Sequence, residues 1–384
     1  MVLGSPDNGV PVLRSDEARR RRLVMPLFIS VLVALLALGL WWNRGNDSQL
    51  VGAGSTLAAP LIERSTADYR NAMSADNPDR PAETGGDWVL DGSGGIDYEK
   101  VGSMGGIMRL SDPEVDFAVS DYPLSSKALA DLQAGQFPVA AGALALVHDL
   151  DLAGRPLRLD AATVAAIYLG TITRWDDPAI DALNPGTSLP SVEIRPVHRS
   201  DGSGSTMGLT RWLAESSTDW RDGPGVGAQV AFPEGVGLAA ERSSGMVETT
   251  SSTDGALGYV EPGQARAAGL QLVQLENRAG SFVAPDNASM AAALQGMEWT
   301  SEQDFTQLSP TETAKDAYPL TLPIYVVMKT DPQDDADAQR AFGYLRWLLN
   351  DYDATAAGLG YLPLPAAGAQ AVQDYWSQIF SHNL

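Results

Sequence analysis

Arg199-Ser200-Asp201-Gly202-Ser203-Gly204-Ser205-Thr206 is the stretch that decides the fold, because it sets one fixed positive charge beside glycines and small hydroxyl residues. The preceding segment, 194–197, predicts a short strand, and the following segment, 207–213, predicts a helix. Backbone N–H groups at a helix start converge on an anion, and glycine lets the main chain approach it closely. The run has no lysine, so it is not a nucleotide-binding loop of the G-x-x-x-x-G-K-S/T type. Taken alone, it is also typical of an ordinary turn.

Two other segments share this design, in which a predicted strand ends, a turn of small residues follows and a helix begins. They are Gly52-Ala53-Gly54-Ser55-Thr56 and Gly102-Ser103-Met104-Gly105-Gly106. In open α/β sheets, ligands bind outside the carboxyl ends of the strands, where helix N-termini point. Three such ends that meet in one cleft would form a cage of N–H and hydroxyl donors around an anion.

The remaining pattern alternates short apolar strands with helical segments, which predicts an α/β fold. Further strands are expected at 115–119, 139–147, 255–260 and 324–328. Helices are expected at 59–71, 161–169 and 338–349. The polar stretch 73–86 is rich in Asp, Asn, Pro and Gly, so we expect a surface loop there.

The composition excludes several classes of function. The chain has 384 residues, of which 44% are hydrophobic, and this predicts one large or two medium packed domains. It has no cysteine, which excludes disulfides, thiolate catalysis and thiolate metal sites. The net charge of −22 argues against a nucleic-acid partner, since such partners need a basic surface.

Neither a metal site nor a catalytic centre is expected. His148, His198 and His382 are too few and too scattered for a metal site or a triad. Four acidic residues cluster near the C-terminal end, but their spacing misses that of a calcium loop: Asp331, Asp334, Asp335 and Asp337. No G-x-S-x-G elbow accompanies the serines near Arg199, so we expect no hydrolase activity, no catalytic residue and no cofactor.

Residues 23–42 form a single apolar run without a charge, long enough to cross the hydrocarbon core of a membrane as one helix. Arg19-Arg20-Arg21-Arg22 precede it, and Trp41-Trp42 end it. The positive-inside rule then puts 1–22 in the cytoplasm as a basic tail and the rest of the chain outside. A cleaved secretory signal is the alternative, but the bulky residues after Ala37-Leu38-Gly39 favour an uncleaved anchor.

The chain closely resembles the periplasmic phosphate-binding proteins of high-affinity phosphate ABC importers, the PstS family. Matching segments run in family order from about Leu50 to the C-terminus: 52–60, 115–124, 136–138, 167–170 with 175–178, 199–205 and 258–261. The resemblance implies a two-lobed α/β clamp of the periplasmic-binding-protein type, which closes about a hinge on its ligand. Lobe one would hold 50–139 and 319–384, and lobe two would hold 140–318.

Carried over position by position, the resemblance implies a phosphate site built from both lobes. Lobe one would supply the Thr56 hydroxyl, the backbone N–H of Leu57, Ser103 and Asp121. Lobe two would supply Arg199, Ser203, Gly204 and Ser205, with Asp201 supporting Arg199. The family usually has an aromatic residue where this chain has Leu57, and threonine is common where it has Ser205. For the second turn, Asp91-Gly92-Ser93-Gly94-Gly95 is a nearby alternative alignment, but Gly102-Ser103 reaches Asp121 at the family spacing without a gap.

A carboxylate such as Asp121 favours phosphate over sulfate. Phosphate near neutral pH keeps a proton that it can donate to the carboxylate. Sulfate keeps none, so a sulfate oxygen and a carboxylate oxygen would face each other as two acceptors. A buried unpaired acceptor costs on the order of 1–3 kcal/mol, which supplies the discrimination. Without the resemblance, Asp121 could equally be a cap at a strand end.

These observations predict an extracytoplasmic phosphate receptor, monomeric and tethered by its N-terminal helix, that delivers phosphate to the permease subunits of an ABC importer. The uncleaved anchor keeps an alternative open, a membrane-anchored phosphate sensor or scavenging scaffold without a permease. A phosphate-monoester hydrolase on a similar fold is a third, weaker option, because no histidine is plainly placed as a base.

Overall fold

The computed structural model describes residues 50–73, 96–295, 297–306, 308, 310, 314–332 and 335–380. The predicted tail, 1–22, and membrane anchor, 23–42, lie outside the described residues, as does nearly all of the predicted loop at 73–86. In the described part of the chain, no helix has the length and apolar character needed to cross a membrane.

Fourteen strands occur among the described residues. They are β1 Leu50–Gly54, β2 Ile96–Glu99, β3 Phe117–Ser120, β4 Ala134–Ala143, β5 Ala145–His148, β6 Arg158–Leu159, β7 Arg195–Arg199, β8 Leu238–Ala240, β9 Ala256–Val260, β10 Gln271–Leu272, β11 Gln274–Glu276, β12 Phe282–Val283, β13 Thr321–Lys329 and β14 Leu362–Pro363.

Thirteen α-helices accompany them in the same described ranges. They are α1 Ala59–Ala72, α2 Ser103–Arg109, α3 Ser126–Leu132, α4 Ala161–Tyr168, α5 Pro178–Leu183, α6 Gly204–Ser216, α7 Thr218–Asp222, α8 Arg242–Ser252, α9 Pro262–Ala267, α10 Asn287–Leu294, α11 Asp335–Asp351, α12 Asp353–Gly358 and α13 Ala366–Ile379. Glu302–Phe305 forms a short 3-10 segment.

The strands form two main sheets and one small one. The first sheet has the order β14-β4-β13-β3-β1-β2, with β1 parallel to β2 and β3 and with β13 antiparallel to β3 and β4. The second has the order β10-β5-β9-β7-β8, with β7 parallel to both β8 and β9. The small sheet has the order β12-β11-β6. This arrangement is the α/β architecture that the sequence predicts.

Helices cover the sheets with apolar faces. Pro60 lies in the first turn of α1, where proline fits the helix geometry, and the helix buries Leu61 and Ile62. Around Phe137 of β4, aromatic side chains from α11 and α13 form one packed cluster: Phe342, Tyr375, Trp376 and Phe380. In the second sheet, the Tyr168 hydroxyl of α4 donates to the carbonyl of Val197 at 3.0 Å. The Tyr168 contact holds the end of β7, the strand that leads to Arg199.

The single strand predicted at 139–147 is wrong, because the chain forms two strands there. β4 ends at Ala143 in the first sheet and β5 begins at Ala145 in the second. Between them, the backbone N–H of Leu144 donates to the carbonyl of Leu320 at 2.9 Å. Both strands are buried throughout, and the residues on either side of the crossing, 139–147, are all apolar, so the segment resembles a single buried strand.

The predicted lobe boundaries at 139/140 and 318/319 stay predictions. Sheet membership favours moving both, since β4 remains in the first sheet through Ala143. Helix α10 contacts β4, β13 and β14 of that first sheet, although it lies within the segment assigned to lobe two. Boundaries near residues 144 and 284 therefore fit the sheets better than those predicted.

Candidate anion-binding site

The three turns of small residues meet between the two main sheets. The backbone N–H of Gly102 donates to the carbonyl of Gly54 at 2.9 Å, which joins the first turn to the second. The N–H of Met104 donates to the carbonyl of Gly202 at 3.3 Å, which joins the second turn to the third, just before α6 begins at Gly204. The structure thus brings the predicted turns together, with elements of the first sheet touching elements of the second.

Glycine is required where these turns touch. Gly102 has a φ of +80°, and a Cβ on it would lie 2.8 Å from Asp201 Oδ2. A Cβ on Gly204 would lie 2.6 Å from the Cβ of Asp121 and 2.7 Å from Ser103 Oγ. Any side chain at either position would hold the two halves of the site apart.

Asp121 is the buried carboxylate of the site, with 4% of its surface exposed. It accepts hydrogen bonds from the hydroxyls of Ser55 and of Ser205, the latter at 3.4 Å, while its backbone N–H donates to Ser103 Oγ at 3.3 Å. Burial raises the pKa of Asp121 to about 6, although the Ser55 hydrogen bond and the charge of Arg199 act in the opposite direction. Asp121 is therefore an acceptor at neutral and alkaline pH.

Arg199 is buried opposite this carboxylate and held on several sides. Its Nε donates to Asp201 Oδ1 at 2.6 Å, its Nη2 donates to the other carboxylate oxygen, and its Nη1 lies 3.2 Å from Thr56 Oγ1. Its backbone N–H donates to the Tyr259 hydroxyl at 2.9 Å. Burial would raise the pKa of Asp201, but the guanidinium and the N–H of Arg242 outweigh that and hold it below its usual range. The predicted pairing of Asp201 with Arg199 is therefore present.

Helix α6 contributes its N-terminus. Ser203 occupies the N-cap position and is 1% exposed, yet its hydroxyl makes no capping hydrogen bond to the helix. The first N–H groups of any helix lack an intrahelical acceptor, so those of Gly204 and Ser205 are available to an anion, and the helix dipole favours one there. Ser205 is also buried.

Leu57 differs from the other predicted site residues because its side chain packs in the core and only its backbone can face the site. Its side chain is fully buried in the core cluster, and its carbonyl accepts a hydrogen bond from the Tyr361 hydroxyl at 2.6 Å. The backbone therefore follows a fixed path beside Thr56, and the leucine side chain packs in the core. The binding roles of Leu57 and of the other predicted site residues stay predictions.

Sequence reasoning missed three polar residues that the structure places here. Ser55 donates to Asp121, Ser243 Oγ lies 2.8 Å from Thr56 Oγ1, and the Tyr259 hydroxyl accepts from the backbone of Arg199. Ser55 stands inside the first quoted turn. Ser243 follows β8 at the start of α8, so it belongs to a fourth turn in which a strand gives way to a helix. The repeated strand–turn–helix pattern was the feature of the sequence from which Ser243 could have been predicted.

The two histidines that the structure describes contribute to packing and backbone hydrogen bonding rather than to the site. His148 is buried, its Nδ1 accepts from the backbone N–H of Leu150 at 3.1 Å, and burial lowers its pKa to about 4. His198 stacks on Phe232 with ring centroids 4.1 Å apart. His382 lies outside the described residues. Among all the residues that the structure describes, no group of histidine and acidic side chains has the geometry of a metal site.

Comparison with known proteins identifies the family. A family profile described as "PBP superfamily domain" matches residues 44–351. The phosphate-binding protein PstS of Xylella fastidiosa is 33% identical over 333 residues, which cover 86% of this chain and 86% of that protein. PstS 3 of Mycobacterium leprae is 30% identical over 70% of this chain and 75% of its own length.

Solved structures show the same fold at lower sequence identity. The phosphate-binding protein from Stenotrophomonas maltophilia superimposes with a TM-score of 0.63 at 19% identity, covering 85% of this chain and 93% of that one. A high-affinity periplasmic phosphate-binding protein, PfluDING, superimposes with a TM-score of 0.62 at 19% identity and the same coverage. Together with the matches in sequence, they show that the chain belongs to the PBP superfamily and, within it, to the family of PstS phosphate-binding proteins.

Proposed function

We propose that this protein is an extracytoplasmic receptor that binds inorganic phosphate between two lobes and delivers it to an ABC importer. The observation that carries the proposal is the buried Asp121 carboxylate, which lies among hydroxyl and N–H donors and opposite the guanidinium of Arg199. The membership of this protein in the PstS family supports the same function.

The donors explain the affinity for an anion. Hydroxyls come from Thr56 and Ser103 on one side and from Ser203 on the other, where Ser205 adds its backbone N–H, and all four residues are buried. Buried donors with fixed directions stabilise an anion strongly, because no water competes for them and little reorganisation is needed on binding. Arg199 adds one positive charge that Asp201 partly neutralises.

Asp121 explains the choice of anion. Its carboxylate accepts hydrogen bonds only, so a bound oxyanion must present a proton to it. Phosphate carries at least one proton near neutral pH and satisfies this requirement, whereas sulfate does not. A sulfate oxygen facing Asp121 would be a desolvated, like-charged contact, which costs on the order of 1–3 kcal/mol or more.

Binding would couple to closure of the lobes. Hydrogen bonds across the site join Ser205 to Asp121 and Arg199 to Thr56, and these contacts support the proposal that the lobes close on each other. A ligand that contacts both lobes binds the closed form more tightly than the open form and shifts the population toward it.

Equilibrium dialysis of the full-length protein in detergent with radiolabelled phosphate tests this function. We expect saturable binding that a large excess of sulfate at pH 8 does not displace. Absence of binding, or equal displacement by unlabelled phosphate and sulfate, would contradict the proposal.

The location and partners are part of the same proposal. The apolar run at 23–42, with four arginines before it, supports an uncleaved anchor that places the binding domain outside the cytoplasm, as a monomer beside the permease subunits. Mass spectrometry of the mature N-terminus tests the anchor, since a chain cleaved after Gly39 would begin at Leu40. The absence of enzymatic activity is tested with a chromogenic phosphate ester, for which we expect no turnover.

A further inference from the structure

We propose that Ser243 is a positioning residue: it donates to Thr56 Oγ1, turns the Thr56 hydroxyl into a donor to bound phosphate, and thereby slows phosphate release. This inference rests on the proposed function. It concerns a residue outside the set that the sequence predicts for the site.

The geometry joins three polar groups from the two main sheets. Thr56 Oγ1 lies 2.8 Å from Ser243 Oγ and 3.2 Å from Arg199 Nη1. Thr56 is 6% exposed and Ser243 is 4% exposed, so water is largely excluded from this contact. Thr56 follows β1 of the first sheet, whereas Ser243 follows β8 of the second.

Hydroxyl valence decides what each direction of the Thr56–Ser243 hydrogen bond leaves for an anion, and the proposal takes Ser243 as the donor. A threonine hydroxyl has one proton to donate and can accept two hydrogen bonds. The guanidinium of Arg199 can only donate, so it occupies one acceptor position on Thr56. If Ser243 donates as well, both acceptor positions are filled and the Thr56 proton is left for an anion. If Thr56 donated to Ser243 instead, no proton would remain for the anion.

The start of α8 is held so that Ser243 faces Thr56. Arg242 has a φ of +61°, a left-handed conformation that costs free energy for any residue other than glycine. Its backbone N–H donates to Asp201 Oδ1 at 2.9 Å, and Asp201 also pairs with Arg199. The turn before Ser243 is thus tied to the same carboxylate that fixes the arginine.

A second contact holds the backbone of Thr56 in place. The side-chain amide of Gln264 donates to the Thr56 carbonyl at 3.1 Å. With its carbonyl and its hydroxyl both engaged, Thr56 has a defined orientation in the closed form. Loss of Ser243 should therefore affect the direction of the Thr56 hydroxyl rather than the path of the chain.

The test measures phosphate release from the full-length protein. The complex with radiolabelled phosphate is chased with excess unlabelled phosphate for the wild type, Ser243→Ala and the matched control Ser244→Ala, whose side chain is exposed on the same helix. One buried hydrogen bond corresponds to release that is about 3- to 10-fold faster in Ser243→Ala. The control should release phosphate at the wild-type rate, and an unchanged rate in Ser243→Ala would overturn the inference.

A double-mutant cycle separates positioning of Thr56 from a general structural effect. Calorimetry in the Thr56→Val background should show that Ser243→Ala no longer weakens phosphate binding, because the hydroxyl it orients is gone. An equal loss of affinity in both backgrounds would overturn the inference. If the wild type itself binds no phosphate, the proposed function fails, whereas wild-type binding with an unaltered Ser243→Ala variant refutes only the role of Ser243.

Discussion

Asp121 is an acidic side chain that the folded protein buries among hydroxyls, and its ionisation therefore has a cost in folding free energy. Its pKa rises from an ordinary value of 3.8 to about 6, mainly because of burial. A carboxyl with a raised pKa in the folded state binds its proton more tightly there than in the unfolded chain. Its favourable contribution is complete below about pH 4 and is lost as the pH rises through 6.

The first prediction is that Asp121→Asn stabilises the ligand-free protein at pH 8 by about 1–3 kcal/mol, since the amide is isosteric and carries no charge to desolvate. The gain should become small at pH 4, where Asp121 is protonated in the folded protein and close to half protonated in the unfolded chain. Urea unfolding of both proteins at the two pH values measures this. Asp254→Asn, at an exposed position, is the control and should change stability by less than about 0.5 kcal/mol. A destabilised Asp121→Asn variant at pH 8 would contradict the account.

The second prediction concerns sulfate. Below about pH 6, Asp121 becomes protonated and turns from an acceptor into a donor, so sulfate affinity should increase between pH 8 and pH 5. In Asp121→Asn the amide donates at every pH, so its sulfate affinity should stay nearly constant over this range. Calorimetric titration with sulfate at several pH values measures both. Parallel pH profiles for the two proteins would show that other groups control sulfate binding.

Local sequence sufficed for some residues of the site but not for others. Arg199 and Asp201 are two positions apart, so their pairing could be inferred from one short motif. The contacts of Ser243 with Thr56 and of Tyr259 with Arg199 join residues that are 187 and 60 positions apart in sequence. No local pattern encodes such pairs, and they become visible only once the two main sheets are placed together.

At the scale of elements, the strand-to-helix turn was the feature that could be predicted most securely. Glycine and small hydroxyl residues are required there by close backbone approach, so they leave a recognisable signature in the sequence. The crossing at Leu144 left no such signature. The residues on either side of it, 139–147, are all apolar, and an apolar run does not reveal where a chain passes from one sheet to another.

The third prediction is that Gly204→Ala prevents closure of the site. The added Cβ would approach Asp121 Cβ to 2.6 Å and Ser103 Oγ to 2.7 Å, and both atoms belong to residues that pack with the first sheet. Overpacking of this kind costs about 1–3 kcal/mol, which predicts phosphate affinity about 5- to 150-fold weaker. Calorimetry measures the affinity, and thermal unfolding without ligand checks that the protein remains folded.

Gly245→Ala is the matched control for this change. Gly245 also lies near the start of a helix, but a Cβ there would meet its nearest neighbour, in Ala240, at an ordinary 3.7 Å. We expect wild-type phosphate affinity for Gly245→Ala. Equal affinity for Gly204→Ala and the wild type would mean that these two turns do not close on each other around the ligand.

At the scale of the whole molecule, the chain is strongly acidic and yet has a site built for an anion. The net charge of −22 concerns the whole chain, whereas the site is governed by donors within hydrogen-bond distance. Solvent and salt screen surface charges that lie more than about 10 Å away, whereas contacts inside the buried site are screened much less and therefore dominate. Composition could therefore exclude nucleic acid as a partner but could not by itself indicate phosphate.

The arrangement of the two main sheets places elements from each of them at the candidate site. The first sheet draws strands from both ends of the described chain and the second from its middle, so the chain passes between them more than once. On the proposed function, ligand contacts on both sides would favour the closed form, and release would require the two sides to separate. The resemblance to the family implied two lobes, but only the structure shows at which residues the chain passes from one sheet to the other.

The central claim is that Asp121 makes the site selective for a protonated oxyanion. The most direct test is calorimetric titration of the full-length protein and of Asp121→Asn with phosphate and with sulfate at pH 8. The account predicts that the wild type binds phosphate at least about a hundredfold more tightly than sulfate, from an unpaired buried acceptor of roughly 3 kcal/mol, and that Asp121→Asn loses most of this difference. Equal binding of the two anions by the wild type, or unchanged selectivity in Asp121→Asn, would contradict it.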